Sequence, residues 1–232
     1  MVYIVGLGPG NRDYILKKAI DILNKSDVII GFERLIKNLD FVYKEKIVMK
    51  SLKETLDYIN KYSLNNELSK EEKNIALVAS GDPTFFGISE YIRKNYLGNI
   101  EVIPGISSFQ YLTTRLNKSW STAFTGSVHG RNENFIEHIK ENRLSIWLTD
   151  NKNNSTYLCR LLNEAGLKIW LYTGYEFHDV DKDILKYIYT IKCGRYMAEL
   201  QQDGFPASSN QKVYRSIAGD FVDITNKFQE VD

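Results

Sequence analysis

Short apolar runs that end abruptly in glycine set the pattern of this chain. Val2 to Val5 lead into GLGPG (6–10), NIALVAS (74–80) runs into GDP, and IEVIP (100–104) runs into Gly105. Helical spacing follows each loop. Ile15, Leu16, Ala19, Ile20, Ile22 and Leu23 follow the first, behind Asn11 as an expected cap. A helix to about Tyr96 follows the second, and one from Ser107 to about Leu116 the third. DVII (27–30) and KIVM (46–49) supply two more strands, the latter followed by Ser51 as a cap and a helix through about Tyr62. Strand, loop and helix in repeated alternation predict a parallel sheet with crossover helices. Ligands meet such a sheet at the carboxyl ends of its strands. GLGPG, SGDPTF (80–85) and PGISS (104–108) are therefore expected on one rim.

The pattern changes near Lys118-Ser119-Trp120, and a second α/β section is expected after it. It reads as strand 123–128, helix 132–141, strand 144–149, helix 154–165, strand 168–172 and an extended stretch near 184–192. Two domains follow, 1–120 and 121–232, with 193–232 as an unassigned extension in which QQDGFPASSNQK (201–212) looks loop-like. The polar stretch 63–73 reads as a solvated loop. Thirty Lys and Arg against 29 Asp and Glu leave a net charge of +1, so nothing demands a nucleic-acid or membrane partner. Any anionic ligand must instead find local cations. No stretch approaches the roughly 18 apolar residues of a membrane helix. No basic leader precedes an apolar run. A cytoplasmic protein is expected. Cys159 and Cys193 have no metal-ligand or redox spacing and read as idle thiols; no metal site is expected.

The first loop invites a dinucleotide reading and fails it. Gly6 and Gly8 fit G-x-G-x-x-G, but the sixth position is Asn11, and Pro9 removes an N–H that a pyrophosphate would need. The loop also fits G-x-G-x-G of the common nucleotide-like methyltransferase fold, with Glu33 as ribose carboxylate. That leaves GDP and PGISS without a task. A plain strand-to-helix turn is the remaining alternative.

Taken together in order and spacing, GLGPG, SGDP and PGISS resemble the tetrapyrrole (corrin/porphyrin) methylase family over residues 1–120, and more loosely to about 192. DVIIGFERL (27–35), TGSVHGR (125–131) and IWLTDNKNNSTYLCRLLNEAG (146–166) look like the equivalent segments of its cobalt-precorrin-7 C5-methyltransferases. The resemblance implies two α/β domains with an active-site cleft between them. It implies S-adenosyl-L-methionine as methyl donor, a corrin precursor of cobalamin synthesis as substrate, and a homodimer. Other members methylate other acceptors, and a small-molecule sensor that kept the cleft is a further alternative.

Several residues gain roles from that resemblance. Pro9, Ser80, Gly81, Asp82, Phe85, Ser107 and Ser108 are the candidate cofactor contacts. For Asp82 the alternative is a helix N-cap with Pro83 behind it; for Ser107 and Ser108 it is a cap of the next helix; for Phe85 it is the core. Gly8, Arg34, Arg115 and Arg131 are candidate substrate contacts, because Arg matches ring carboxylates bidentately. His129 and Arg131 are the catalytic candidates, with His129 removing a proton or only bonding a carboxylate. His138 and His178 read as surface residues.

Overall fold

The computed structural model describes residues 1–63, 73–115, 117–130 and 133–228. The chain forms two compact units, Met1–Thr122 and Ala123–Asp232.

The first unit is built on five parallel strands. They are β1 (Val2–Gly6), β2 (Val28–Phe32), β3 (Glu45–Met49), β4 (Ile75–Ala79) and β5 (Ile100–Ile103), in the spatial order β3-β2-β4-β1-β5. Val2 stands beside Ile75 on one side and Ile100 on the other, and Gly6 beside Ala79. The helices are α1 (Lys17–Lys25), α2 (Glu33–Lys37), α3 (Leu52–Ser63), α4 (Ile88–Asn95) and α5 (Ser108–Arg115). Every residue of β4 is buried, which a sheet covered on both faces requires. Its side chains divide by the two-residue period of a strand. Ala76 and Val78 join Val5, Leu23, Ile29 and Leu39 on one face, and Ile75 and Leu77 join Ile4, Ile30, Ile59 and Ile92 on the other. Each fully buried Ile or Leu contributes about 1.5–3 kcal/mol.

One local detail departs from the sequence pattern. The first helix begins at Lys17, not behind Asn11. The Asn11 side chain instead accepts the Asp13 N–H at 3.0 Å and caps a short 3-10 turn, Arg12–Tyr14. Ile15 and Leu16 are then extended, and Arg12 stacks over Phe41 at 3.9 Å. The Ser51 cap forms as expected: its hydroxyl accepts the Glu54 N–H, and the Glu54 carboxylate accepts the Lys50 N–H. Most of the 63–73 loop lies outside the described residues, as does Leu116.

The second unit carries two sheets. β6 (Phe124–Ser127) pairs in parallel with β7 (Ser145–Leu148). Helices α6 (Phe135–Glu141) and α7 (Ser155–Glu164) follow them. β8 (Trp170–Tyr172) and β9 (Thr190–Cys193) are also parallel. The stretch near 184–192, expected to be extended throughout, starts as a helical turn, α8 (Lys182–Leu185), because Asp181 caps it by accepting the Asp183 N–H. Ile184 and Ile188 then reach the core that holds Cys159, Ile191 and Cys193. Both cysteines are free and buried, and burial pushes the Cys193 thiol up to about 11. His138 is half-buried and stacks on Phe124 at 4.2 Å, so it is not the surface residue expected; His178 is exposed. No helix among the described residues is long and apolar enough to cross a membrane.

The extension is structured over its described residues, 193–228. β10 (Lys212–Ile217) and β11 (Asp220–Asp223) add antiparallel strands beyond β9. Ile217 faces Asp220, so Ala218 and Gly219 alone make the turn, at φ +52° and +96°. Positive φ at both positions is the condition of a type I′ hairpin, which alanine meets at a cost of roughly 1–2 kcal/mol. Ala218→Asn should therefore raise stability by up to about 1 kcal/mol. A urea melt of the two proteins checks this, and an unchanged or lower midpoint would contradict it.

Candidate active site

Because β4, β1 and β5 are neighbours, the loops that leave their carboxyl ends are neighbours too. Their backbones interlock. The Leu7 N–H donates to the Ala79 carbonyl at 2.9 Å, and Gly8 and Gly81 exchange bonds in both directions at 3.3 and 2.9 Å. A Cβ on Gly6 would lie 2.7 Å from both the Gly105 nitrogen and the Gly81 oxygen; one on Gly105 would lie 2.2 Å from that same oxygen. Glycine at Gly6 and Gly105 thus lets one loop pass against another. Close approach of a ligand is not what requires it there.

The candidate cofactor residues line this rim. Ser80 is exposed at the end of β4, and Pro9 is half-exposed. Asp82 does not cap α4, which starts at Ile88 behind Gly87. It caps a turn: one carboxylate oxygen, Oδ1, accepts the Thr84 N–H at 2.7 Å and its hydroxyl at 2.6 Å, while the Asp82 carbonyl accepts the Phe85 N–H. Oδ2 has no partner among the described residues. Ser107 is buried at the start of α5; its N–H donates to the Gln110 side chain and its carbonyl accepts the Tyr111 N–H. Ser108 is exposed on the first turn of that helix. Phe85 is half-buried against Phe86 and Phe109, and Phe109 meets Trp120. Gly8 is buried within the interlock. Arg34 is exposed on α2, next to the carboxyl end of β2. Arg115 stands at the other end of α5, about 12 Å from the rim.

A second set of groups gathers in the other unit, where the loops after β6 and β7 run side by side. His129 is exposed, and its Nδ1 lies 3.2 Å from the Thr149 carbonyl. A carbonyl only accepts, so Nδ1 carries the hydrogen and Nε2 of the neutral ring keeps its lone pair. Asp150 Oδ2 accepts the Gly130 N–H at 2.7 Å, while its Oδ1 accepts the N–H groups of Lys152 and Asn153 at 2.9 and 2.6 Å. The backbone N–H groups of Asn153 and Gly130 hold its carboxyl below the usual carboxylate range. Asn153 closes the link by donating to the Val128 carbonyl at 2.7 Å. Sequence reasoning did not single out Asp150 or Asn153. The signal was an Asp directly after an apolar strand, a turn-forming position. Arg131 lies outside the described residues.

A family model described as Tetrapyrrole (Corrin/Porphyrin) Methylases matches residues 1–173. The chain belongs to that family. It is 32% identical over 181 residues to a probable cobalt-precorrin-7 C(5)-methyltransferase of Methanocaldococcus jannaschii, covering 74% of this chain and 82% of the relative. Among solved structures, the cobalamin biosynthesis precorrin-6Y methylase of Archaeoglobus fulgidus shares the fold, with a TM-score of 0.54 and 22% identity over 66% of this chain and 75% of that one. So does a uroporphyrin-III C-methyltransferase of Thermus thermophilus solved with S-adenosylhomocysteine, with a TM-score of 0.51 and 18% identity over 71% and 72% of the two chains. All three rim loops of this methylase fall inside the family match; β9, β10 and β11 fall beyond it. Replacing Gly105 by Ala should cost about 1–3 kcal/mol, because the Gly81 backbone oxygen cannot yield as a side chain would. Gly174→Ala, where nothing lies within 4 Å, should stay within about 0.5 kcal/mol. Equal urea midpoints for the two variants would refute the interlock as the reason for glycine.

Proposed function

We propose that this chain methylates a ring carbon of a corrin precursor in cobalamin synthesis, at C5 of cobalt-precorrin-7, with S-adenosyl-L-methionine as donor. The observation that supports this best is the relative of that name, matched over 82% of its length, together with a rim whose three loops are intact. The rim offers what a zwitterionic, aromatic donor molecule asks for. Asp82 Oδ2 is a charged acceptor for an ammonium or ribose hydroxyl group. The first N–H groups of α5, at Ser108 and Phe109, suit a carboxylate. Phe85 supplies an apolar wall. Ser80, Gly81, Ser107 and Pro9 complete this set. The bound donor supplies an electrophilic methyl group on a sulfonium.

The chain's own residues have three tasks. They must hold the ring carbon in line, exclude water and meet the ring's carboxylates. Arg34, exposed beside the carboxyl end of β2, offers a guanidinium to a carboxylate, and the stiff, interlocked backbone around Gly8 and Pro9 gives a flat ligand a surface that does not yield. His129 offers the Nε2 lone pair to the proton that leaves the methylated ring, or, once protonated there, donates from Nε2 to a carboxylate. Membership of the family, with a member of the same fold solved with S-adenosylhomocysteine, supports the donor. The same reading carries a cytoplasmic homodimer, and a monomer by light scattering at micromolar concentration would remove the dimer from it.

Turnover tests the whole reading: the purified protein with donor and cobalt-precorrin-7 should give a product one methyl group heavier. Binding of S-adenosylhomocysteine without turnover of any tetrapyrrole would favour the sensor instead. Asp82→Asn keeps an oxygen for the Thr84 turn and removes the charge. It should weaken S-adenosylhomocysteine by about 1.5–3 kcal/mol in calorimetry with little change in Tm. Normal affinity with a lower Tm would reduce Asp82 to a turn residue.

A further inference from the structure

We propose that Asp150 is a positioning residue for methyl transfer, acting through the loop that carries His129. This rests on the reading that the loop after β6 meets the substrate.

Three hydrogen bonds tie residues 128–130 to residues 149–153: His129 Nδ1 to the Thr149 carbonyl, the Gly130 N–H to Asp150 Oδ2, and the Asn153 amide to the Val128 carbonyl. Two of them depend on the Asp150 turn. One carboxylate oxygen folds residues 150–153 back on themselves and so aims the Asn153 side chain; the other reaches across to Gly130. His129 itself is exposed, and among the described residues its ring is hydrogen-bonded to the Thr149 carbonyl. Its orientation is set by the Thr149 carbonyl on one side and by the backbone of Gly130 on the other. Asp150 therefore decides two things at a distance: where the His129 ring stands, and which ring nitrogen keeps a free lone pair. Proton acceptance by Nε2 needs both. A misplacement of about 1 Å at such a group can cost on the order of a hundredfold in rate.

Asp150→Asn separates the two halves of this device. The amide oxygen can stay on the Lys152 and Asn153 N–H groups and preserve the local turn. The amide nitrogen then faces the Gly130 N–H, donor against donor, and that link is lost. In the wild-type protein without ligand, a long-range proton–nitrogen NMR spectrum should show His129 as the Nδ1–H tautomer. In the variant it should show a mixture. The variant should also lose about tenfold or more in kcat/KM for the tetrapyrrole, keep its S-adenosylhomocysteine affinity within about twofold, and keep its Tm. An unchanged tautomer would overturn the positioning role whether or not the substrate reading holds. A changed tautomer with unchanged kcat/KM would instead overturn the reading that this loop meets the substrate. Equal loss of cofactor affinity, Tm and turnover would make Asp150 a plain stability residue. Asn153→Ala, which removes the Val128 link together with the longer 3.5 Å contact of the same amide with Asp150 Oδ2 and leaves the Gly130 link in place, should move the tautomer in the same direction; no movement there would count against the positioning role.

Discussion

Backbone against backbone, at Gly6, Gly81 and Gly105, is the contact on which the first unit depends. Parallel strands carry their loops away from the sheet in one direction, so adjacent strands deliver adjacent loops. Here the Gly81 carbonyl lies where a Cβ on Gly6 or Gly105 would have to go. Reciprocal bonds between Gly8 and Gly81 then extend the order of the sheet one step past its last strand residues. The consequence for function is rigidity. Asp82 and the first turn of α5 flank this seam, so their polar groups are preorganised by the backbone beside them. Preorganised groups lose little freedom when a ligand binds, which is where affinity and in-line geometry originate.

The second unit solves the same problem with side chains. Its loops after β6 and β7 are joined by Asp150 and Asn153, not by glycine contacts. A carboxylate with two oxygens can serve two loops at once, and each accepted N–H strengthens its preference for the ionised form. Such a joint keeps its strength in contact with water better than a neutral bond does, which suits an exposed loop. The extension widens the sheet of β8 and β9. Phe205 and Phe228 meet Tyr172 and Trp170 of β8, while β10 and β11 cover the open edge of β9. An edge strand left bare would invite pairing with another chain.

Much of this was legible in the residues themselves. The buried strands of the first unit announced themselves as unbroken apolar runs, because a strand covered on both faces has no polar side to display. Each glycine loop marked a strand end, and three such ends in one half placed the rim. The family, too, was legible, since its three loop motifs keep their order and spacing. The hairpin of β10 and β11 was not: its turn is Ala218-Gly219, whereas the strong hairpin signals begin with Asn, Asp or Gly. The start of α1 was misplaced because the Asn11 cap is satisfied equally by a 3-10 turn.

By itself, then, the sequence determined the parallel core, the rim loops and the family, all of which follow from local patterns of apolarity, glycine and spacing. Tertiary structure decided what each rim residue does with its bonds. Asp82 and a helix cap are indistinguishable along the chain, and only the start of α4 at Ile88 separates them. Gly6 needs no side chain because of Gly105, which lies far along the chain from it. Asp150 matters because β7 lies beside β6 and brings it to Gly130. Contacts of that kind depend on which strands become neighbours, and strand order is a property of the packed sheet that no local stretch of residues encodes.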